Sequence, residues 1–312
     1  MKKGIFFGIL GAFFVGFQPI IANARPQVLD PFIFAAMTCL IEALVFFPLI
    51  IVEKKVKYIR KATDGTDQKE KFSIIQIWKK NAWFFVFIGV IFGLNQLLFF
   101  IGYGLAGAIN GALTQKTTVF FGIIFGFLIL KEKVTKIQII FSGVLFAGLI
   151  LAITEGSFSF LSFDIEILIG VGTLLFITCL WMFGHTITKP VLNKNEVTPT
   201  QMVFLRNIIS GIILFISYFI FFPFENIILL VNPLNQAYFI SMGVVYGLGL
   251  FFWYKTLSYL DVSKATIILS PTPIVTALFA TIFLAETFTI FHLLGTLIVI
   301  ISIIIIVLQK ER

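Results

Sequence analysis

The sequence predicts an all-α membrane protein of ten transmembrane helices, arranged as two inverted-topology five-helix repeats. Three observations carry that expectation: apolar runs near the ~20 residues that cross a hydrocarbon core, a one-sided placement of Lys and Arg, and a weak likeness between the two halves. Hydrophobic residues make up 59% of the 312, 40 residues are Phe, and only 12% are charged. A soluble domain does not carry that balance.

The apolar runs fall at about 4–23, 31–52, 82–104, 108–130, 136–154, 166–189, 199–222, 237–259, 262–284 and 287–308. Residues 53–80 form the one long polar insertion, so no separate soluble domain is expected. Lys2 and Lys3, the first run and Ala22-Asn23-Ala24 together have the form of a signal peptide. The run is longer than a usual signal core and has a counterpart in the second half, so it is expected to stay as a helix.

Charge sets the orientation. With the N-terminus in the cytoplasm, 19 of the 23 Lys and Arg residues fall on the inside and Arg25 alone on the outside. Lys116, Arg206 and Lys255 lie within spans. Both termini and the 53–80 loop are therefore expected in the cytoplasm of a plasma-membrane protein. The net charge of +8 then marks the cytoplasmic leaflet, not nucleic acid.

A shift of 168 residues pairs Gly16 with Gly184, Pro31 with Pro199 and Leu44 with Ile212. A shift of 154 pairs Gly89 with Gly243, Gly93 with Gly247, Glu132 with Glu286 and Thr135 with Thr289. The repeats are expected over 4–154 and 166–308. Five spans is an odd number, so the second repeat enters from the other face. That is a plan of secondary transporters, with the substrate near midplane between the repeats. Glycines four apart, such as Gly89/Gly93 and Gly243/Gly247, let helix backbones approach closely.

The stretch 254–286 organises the rest. Its Ser270-Pro271-Thr272-Pro273 run lies within an apolar segment, and proline removes a backbone donor and clashes one turn back. A helix break is expected at Pro271 and Pro273, tolerated at membrane depth only against protein or a wet cavity. The equivalent Lys116–Val119 segment has no proline and is expected to be straighter.

Charges inside a span cost ~2.5–3.5 kcal/mol each at a helix centre. Lys255 is near a helix end and can snorkel. Glu42 and Arg206 are expected to form a membrane ion pair. Lys116 is a candidate for substrate or proton coupling. Three basic groups in spans against Glu42 alone lean toward a solute with a carboxylate or phosphate. Gln18, Asn95, Gln96, Asn110, Gln115 and His185 are uncharged polar candidates. Tyr246, Gly249 and Trp253 share a helix face, matched in the first repeat by Phe92, Asn95 and Phe99. The expected substrate-binding set is Lys116, Gln18, Asn95, His185, Tyr246, Trp253 and Ser270.

Other features read as structural. Cys39 and Cys179 lie in apolar runs and read as small fillers. His185 and His292 are too far apart in sequence for a metal site, and no metal or cofactor is expected. Gly102 to Gly107 match a dinucleotide fingerprint literally but lack the strand–turn–helix context it needs; a tight interhelical turn is expected there. Glu132 and Glu286 precede helices, whose N-termini favour a carboxylate. No nucleophile elbow, metalloprotease motif or phosphate loop is present, and no enzyme is expected.

Several residues resemble a known family. The pattern Y-K-x-L-x-Y-L-D-V-S-K-A at 254–265, Pro273 and L-A-E-x-F-T at 284–289 are similar to the EamA-type transporters of the drug/metabolite transporter superfamily. Ala112 with F-L-I-L-K-E-K-V-T at 127–135 is a fainter copy, and Pro31, Pro199 and Arg206 fit as well. Val119 and Thr38 depart, standing where the family often has proline and arginine. The resemblance spans essentially the whole chain. It implies ten helices in two inverted halves, the fifth and tenth peripheral, around a central cavity. The expected function is alternating-access transport of a small organic metabolite, amino-acid-like or another carboxylate or zwitterion favoured. An exporter of lipophilic or cationic drugs, a passive channel and a sensor stay open. Expected partners are a small-molecule substrate and the lipid bilayer; a coupling proton or exchange solute, and a homodimer, stay open too.

Overall fold

A computed structural model describes residues 2–64, 74–156, 164–193, 197–259 and 268–309. Every regular element among them is helical: α1 (Lys2–Ala24), α2 (Pro31–Asp64), α3 (Ile74–Ala106), α4 (Ala108–Thr114), α5 (Thr118–Leu130), α6 (Lys136–Ile153), α7 (Ile165–Asn193), α8 (Pro199–Phe221), α9 (Pro233–Tyr259), α10 (Thr272–Phe283) and α11 (Ile290–Leu308). A 3-10 turn, Gln115–Thr117, joins α4 to α5, and a second, Phe224–Leu230, precedes α9. Counting α4 to α5 as one span, nine stretches among the described residues are long and apolar enough to cross a membrane. α10 is shorter. Leu260 to Ala265, the later half of the first signature, lie outside the described residues, as does the middle of the 53–80 insertion.

The helix ends show the repeat in backbone chemistry. α5 and α10 are each followed by a residue in the left-handed region, Lys131 at φ 56° and Ala285 at φ 55°. Glu132 N–H then donates to the Gly126 carbonyl and Glu286 N–H to that of Ala280. Thr135 caps α6 in a reciprocal box with Gln138, and Thr289 caps α11 in the same box with His292. All of these pairs are 154 residues apart, and each satisfies backbone groups that a helix end leaves open.

The chain divides into two compact units, each drawing on both halves of the sequence. The first comprises Met1–Val28, Leu98–Thr186 and Leu248–Arg312. In it α6 and α11 cross antiparallel: Gln138 near the start of α6 reaches the Ile306 carbonyl at 3.4 Å, and Glu155 just past its end lies 3.9 Å from His292. A Cβ on Gly295 would sit 2.5 Å from the Gly148 carbonyl oxygen, so the two backbones touch there. Leu113, Leu145, Leu149, Val299 and Ile303 fill the space around that crossing. α1 runs parallel to α10, and the Thr276 hydroxyl donates to the Gly16 carbonyl at 2.8 Å.

The second unit comprises Leu29–Leu97 and Ile187–Gly247. Its axis is the antiparallel pair α2 and α8. The hydroxyls of Thr198 and Thr200 at the start of α8 donate to Glu53 on α2 at 3.0 and 2.6 Å. At the other end the Tyr218 hydroxyl donates to Asp30 at 3.0 Å, while the other Asp30 oxygen caps α2 through Phe32 N–H. Glycines bring α3 against α8 and α9 against α2. A Cβ on Gly89 would fall 2.5 Å from Ile209, and one on Gly243 would fall 2.5 Å from Ile41. The four-residue glycine spacing thus serves packing, as small residues do in lipid.

Candidate functional site

The second unit holds a polar core. Glu42 on α2 and Arg206 on α8 are 1% and 3% exposed. Arg206 Nη2 lies 4.0 Å from Glu42 Oε1, inside Coulombic reach and outside hydrogen-bond distance. The guanidinium also lies over the Phe92 ring of α3, 4.2 Å from its centroid. Gly247 on α9 packs against this part of α2: a Cβ there would lie 3.1 Å from Val45 and 3.6 Å from Glu42 Cγ. Asn207, Asn95, Gln96 and Tyr246 are buried in the same unit, and Tyr246 lies within the electrostatic field of both charges.

This core is short of hydrogen bonds. Among the described residues, Glu42 Oε1, Arg206 Nε, Asn207 Nδ2, both amide atoms of Asn95 and Gln96 Nε2 are buried without a hydrogen bond of good geometry. Buried polar groups are ordinarily satisfied, and leaving one unmet costs about 1–3 kcal/mol. Six unmet atoms on three helices form a set of donors and acceptors suited to a polar guest.

The first unit holds a helix break. Ser270 and Pro271 form a turn and α10 begins at Thr272. Pro273 has no N–H to offer the Leu269 carbonyl one turn back. Two side chains take its place: the Thr272 hydroxyl donates at 2.6 Å and Lys116 Nζ at 3.0 Å. That contact supplies the partner for which the charge count invoked an anionic solute, so the case for an anion no longer runs through Lys116. The prolineless counterpart is not straight either. Gln115–Thr117 tightens into a 3-10 turn at the equivalent position, where the Thr114 and Thr117 hydroxyls draw on carbonyls three and four residues back at 2.7 Å.

The other expected residues are dispersed within that unit. Gln18 is buried against Gly249, where a Cβ would lie 3.0 Å from its Nε2. His185 is half-buried with its ring 6.1 Å from Trp181, Trp253 is half-buried, and Ser270 is buried beside the break. Lys255 is exposed with Nζ 5.5 Å from the Phe251 ring, as snorkelling requires.

Glu286 does cap a helix, but not the one that follows it. Its two oxygens accept the N–H groups of Ala108 and Ile109 at 2.7 and 3.0 Å, closing the start of α4. Gly107 permits this approach with φ 77°, and it alone of the three fingerprint glycines makes the turn. Gly102 and Gly104 lie inside α3. His292 Nδ1 accepts from Thr289 N–H at 3.2 Å. Its Nε2 is then the donor to Asn110 Oδ1 at 3.2 Å.

Sequence reasoning missed Asn207. The signal was there: an Arg–Asn pair seven residues into an apolar helix opened by Pro199.

The profile of the EamA-like transporter family matches residues 2–154 and again 168–308. The chain belongs to this family. A curated relative, the "Uncharacterized transporter YyaM" of Bacillus subtilis (strain 168), is 24% identical over 237 residues, 72% of this chain and 73% of the relative. A solved crystal structure superposes with a TM-score of 0.62 over 99% of both chains at 14% identity, a likeness of fold. The family and the relative both point to a membrane transporter rather than an enzyme.

Proposed function

We propose that this EamA-family member is a secondary transporter moving a small organic metabolite across the plasma membrane by alternating access. Carboxylates and zwitterions are the favoured solutes. The observation that carries this reading is the under-bonded Glu42–Arg206 core, a buried pair of opposite charges with unmet amides beside it. An ionisable group at membrane depth usually marks a substrate or ion path. Arg206, Asn95 and Tyr246 are assigned to solute contact. Gln18, His185, Trp253 and Ser270 are assigned to the lining of the pathway, with Lys116 holding its broken helix.

Ten spans follow if α10 and the residues before it count as the ninth. The antiparallel crossings of α2 with α8 and α6 with α11 support inversion of the repeats. The distribution of Lys and Arg supports cytoplasmic termini. Cysteines at Lys133 and Thr287, equivalent loop positions in the two repeats, should react with an impermeant reagent from opposite sides. Reaction of both from one side ends the inversion.

The functional test is counterflow in proteoliposomes, using labelled amino acids and short monocarboxylates. Saturable exchange against unlabelled solute is expected. Flux without counterflow would favour a channel, which the Ser270–Pro271 break also suits. A folded protein that moves none of the panel overturns the reading.

A further inference from the structure

We propose that Glu42 is a proton-coupling group, and that an anionic solute and a proton occupy the second unit's core together. This rests on the transport reading above and adds to it the ion and its stoichiometry.

Arg206 and Glu42 neutralise each other at 4.0 Å without a hydrogen bond between them. Among the described residues neither Arg206 Nε nor Glu42 Oε1 has a hydrogen-bond partner. A guanidinium offers five N–H donors in a fork that matches a carboxylate in two parallel bonds. A solute carboxylate that docks on Arg206 therefore gains more than Glu42 now gives. Docking has a consequence for Glu42. Its neighbours are Arg206 and Asn207 from α8, Tyr246 from α9 and Cys39 one turn back on α2. None of these except Arg206 is a cation. Once Arg206 is engaged by the solute, Glu42 is a buried carboxylate facing only neutral groups. Drawing Arg206 away leaves an uncompensated buried charge on Glu42, and a proton from water removes it. The balance is simple. Arg206 keeps one positive charge, the solute brings one negative charge, and Glu42 exchanges its negative charge for an O–H. The core is neutral before and after, so the loaded and empty forms carry no net charge across the bilayer in this unit.

Asn95 and Gln96 fit the same picture. Their unmet amide groups on α3 lie within one turn of Phe92, whose ring covers Arg206. With two amide nitrogens to donate and Asn95 Oδ1 to accept, they are placed to hold a neutral hydroxyl or carbonyl group of the solute.

The test uses the detergent-purified full chain in weakly buffered solution with a pH indicator. The probes are the proteinogenic amino acids, short aliphatic monocarboxylates and the matching amides. Uptake of about one proton per bound carboxylate is expected, by linkage, and none for the amides. Glu42→Gln should take up no proton on binding, and Arg206→Gln should lose affinity for carboxylates by tenfold or more. In proteoliposomes, a pH gradient alone should drive uphill accumulation of the bound carboxylate by the wild type. Should Glu42→Gln fail to fold, wild-type proton uptake decides the question alone. Carboxylate binding with no proton uptake overturns the proposal, as does counterflow confined to amides or amines. In both outcomes transport itself stands. Absence of counterflow for every solute overturns the transport reading, and the proposal falls with it.

Discussion

The fourth helix of each repeat deviates from α-geometry at the same place and by different chemistry. In the first repeat, Gln115–Thr117 tightens into a 3-10 turn without any proline. In the second, Ser270 and Pro271 form an open turn before α10. The first deviation keeps every residue in right-handed helical space, so its backbone partners stay within the helix. The second removes donors that the helix cannot replace, and Lys116 of the first repeat supplies one of them. An irregularity at membrane depth is thus kept in both copies while its means differ. Proline marks only one of the two routes to it.

That comparison can be broken at three points. The largest effect is expected for Glu286→Ala. It strips two N–H groups at the start of α4 of their acceptor, and each unmet group costs about 1–3 kcal/mol. Melting in detergent should fall by several degrees, more than for Glu286→Gln, which keeps one acceptor oxygen. Equal melting of the Ala variant and the wild type would show that water caps α4 instead.

The next effect is a coupling. Lys116→Met and Thr272→Val each leave the Leu269 carbonyl one donor and should cost about 1 kcal/mol apiece. Together they leave it bare, so the double variant should lose about 1 kcal/mol beyond the sum. Strict additivity in denaturation of the four proteins would mean that the two side chains do not share that carbonyl.

The smallest change in stability is expected for Pro273→Ala. It returns an N–H to the Leu269 carbonyl while removing a preorganised φ, and the two should offset to within about 1 kcal/mol. Flux should suffer more than stability, because the backbone donor competes with Lys116. A variant with unaltered counterflow would remove the break from the transport cycle.

Much of this was legible in the sequence because it rested on backbone chemistry. Pro271 and Pro273 cannot donate, so a helix loses two bonds within one turn there, whereas the single prolines Pro19, Pro48 and Pro190 are carried inside continuous helices. Glu132/Glu286 and Thr135/Thr289 recur at one spacing and mark equivalent ends. The target of Glu286 was not legible, because a carboxylate before a helix looks the same whether it caps that helix or one 178 residues away. The 3-10 turn at Lys116 was hidden for a similar reason. Threonine is compatible with a regular helix, and its hydroxyls favour tightening only where packing permits. Asn207 stands beside Arg206 in an apolar helix, a signal in itself, yet one amide there has no periodic signature and says nothing of what it faces. Its meaning came from the unmet groups gathered around it.

The touching backbones of Gly148 and Gly295 also set a timetable. α6 leaves the ribosome on the order of ten seconds before α11, at ordinary rates of synthesis. Through that interval its glycine face has no permanent neighbour, and lipid or another nascent helix must occupy it. The first repeat is therefore inserted before it is finished. Its fifth helix becomes immobile only when the chain returns to it from the opposite direction, and the order of synthesis, not only the final contacts, determines which partner that face meets first.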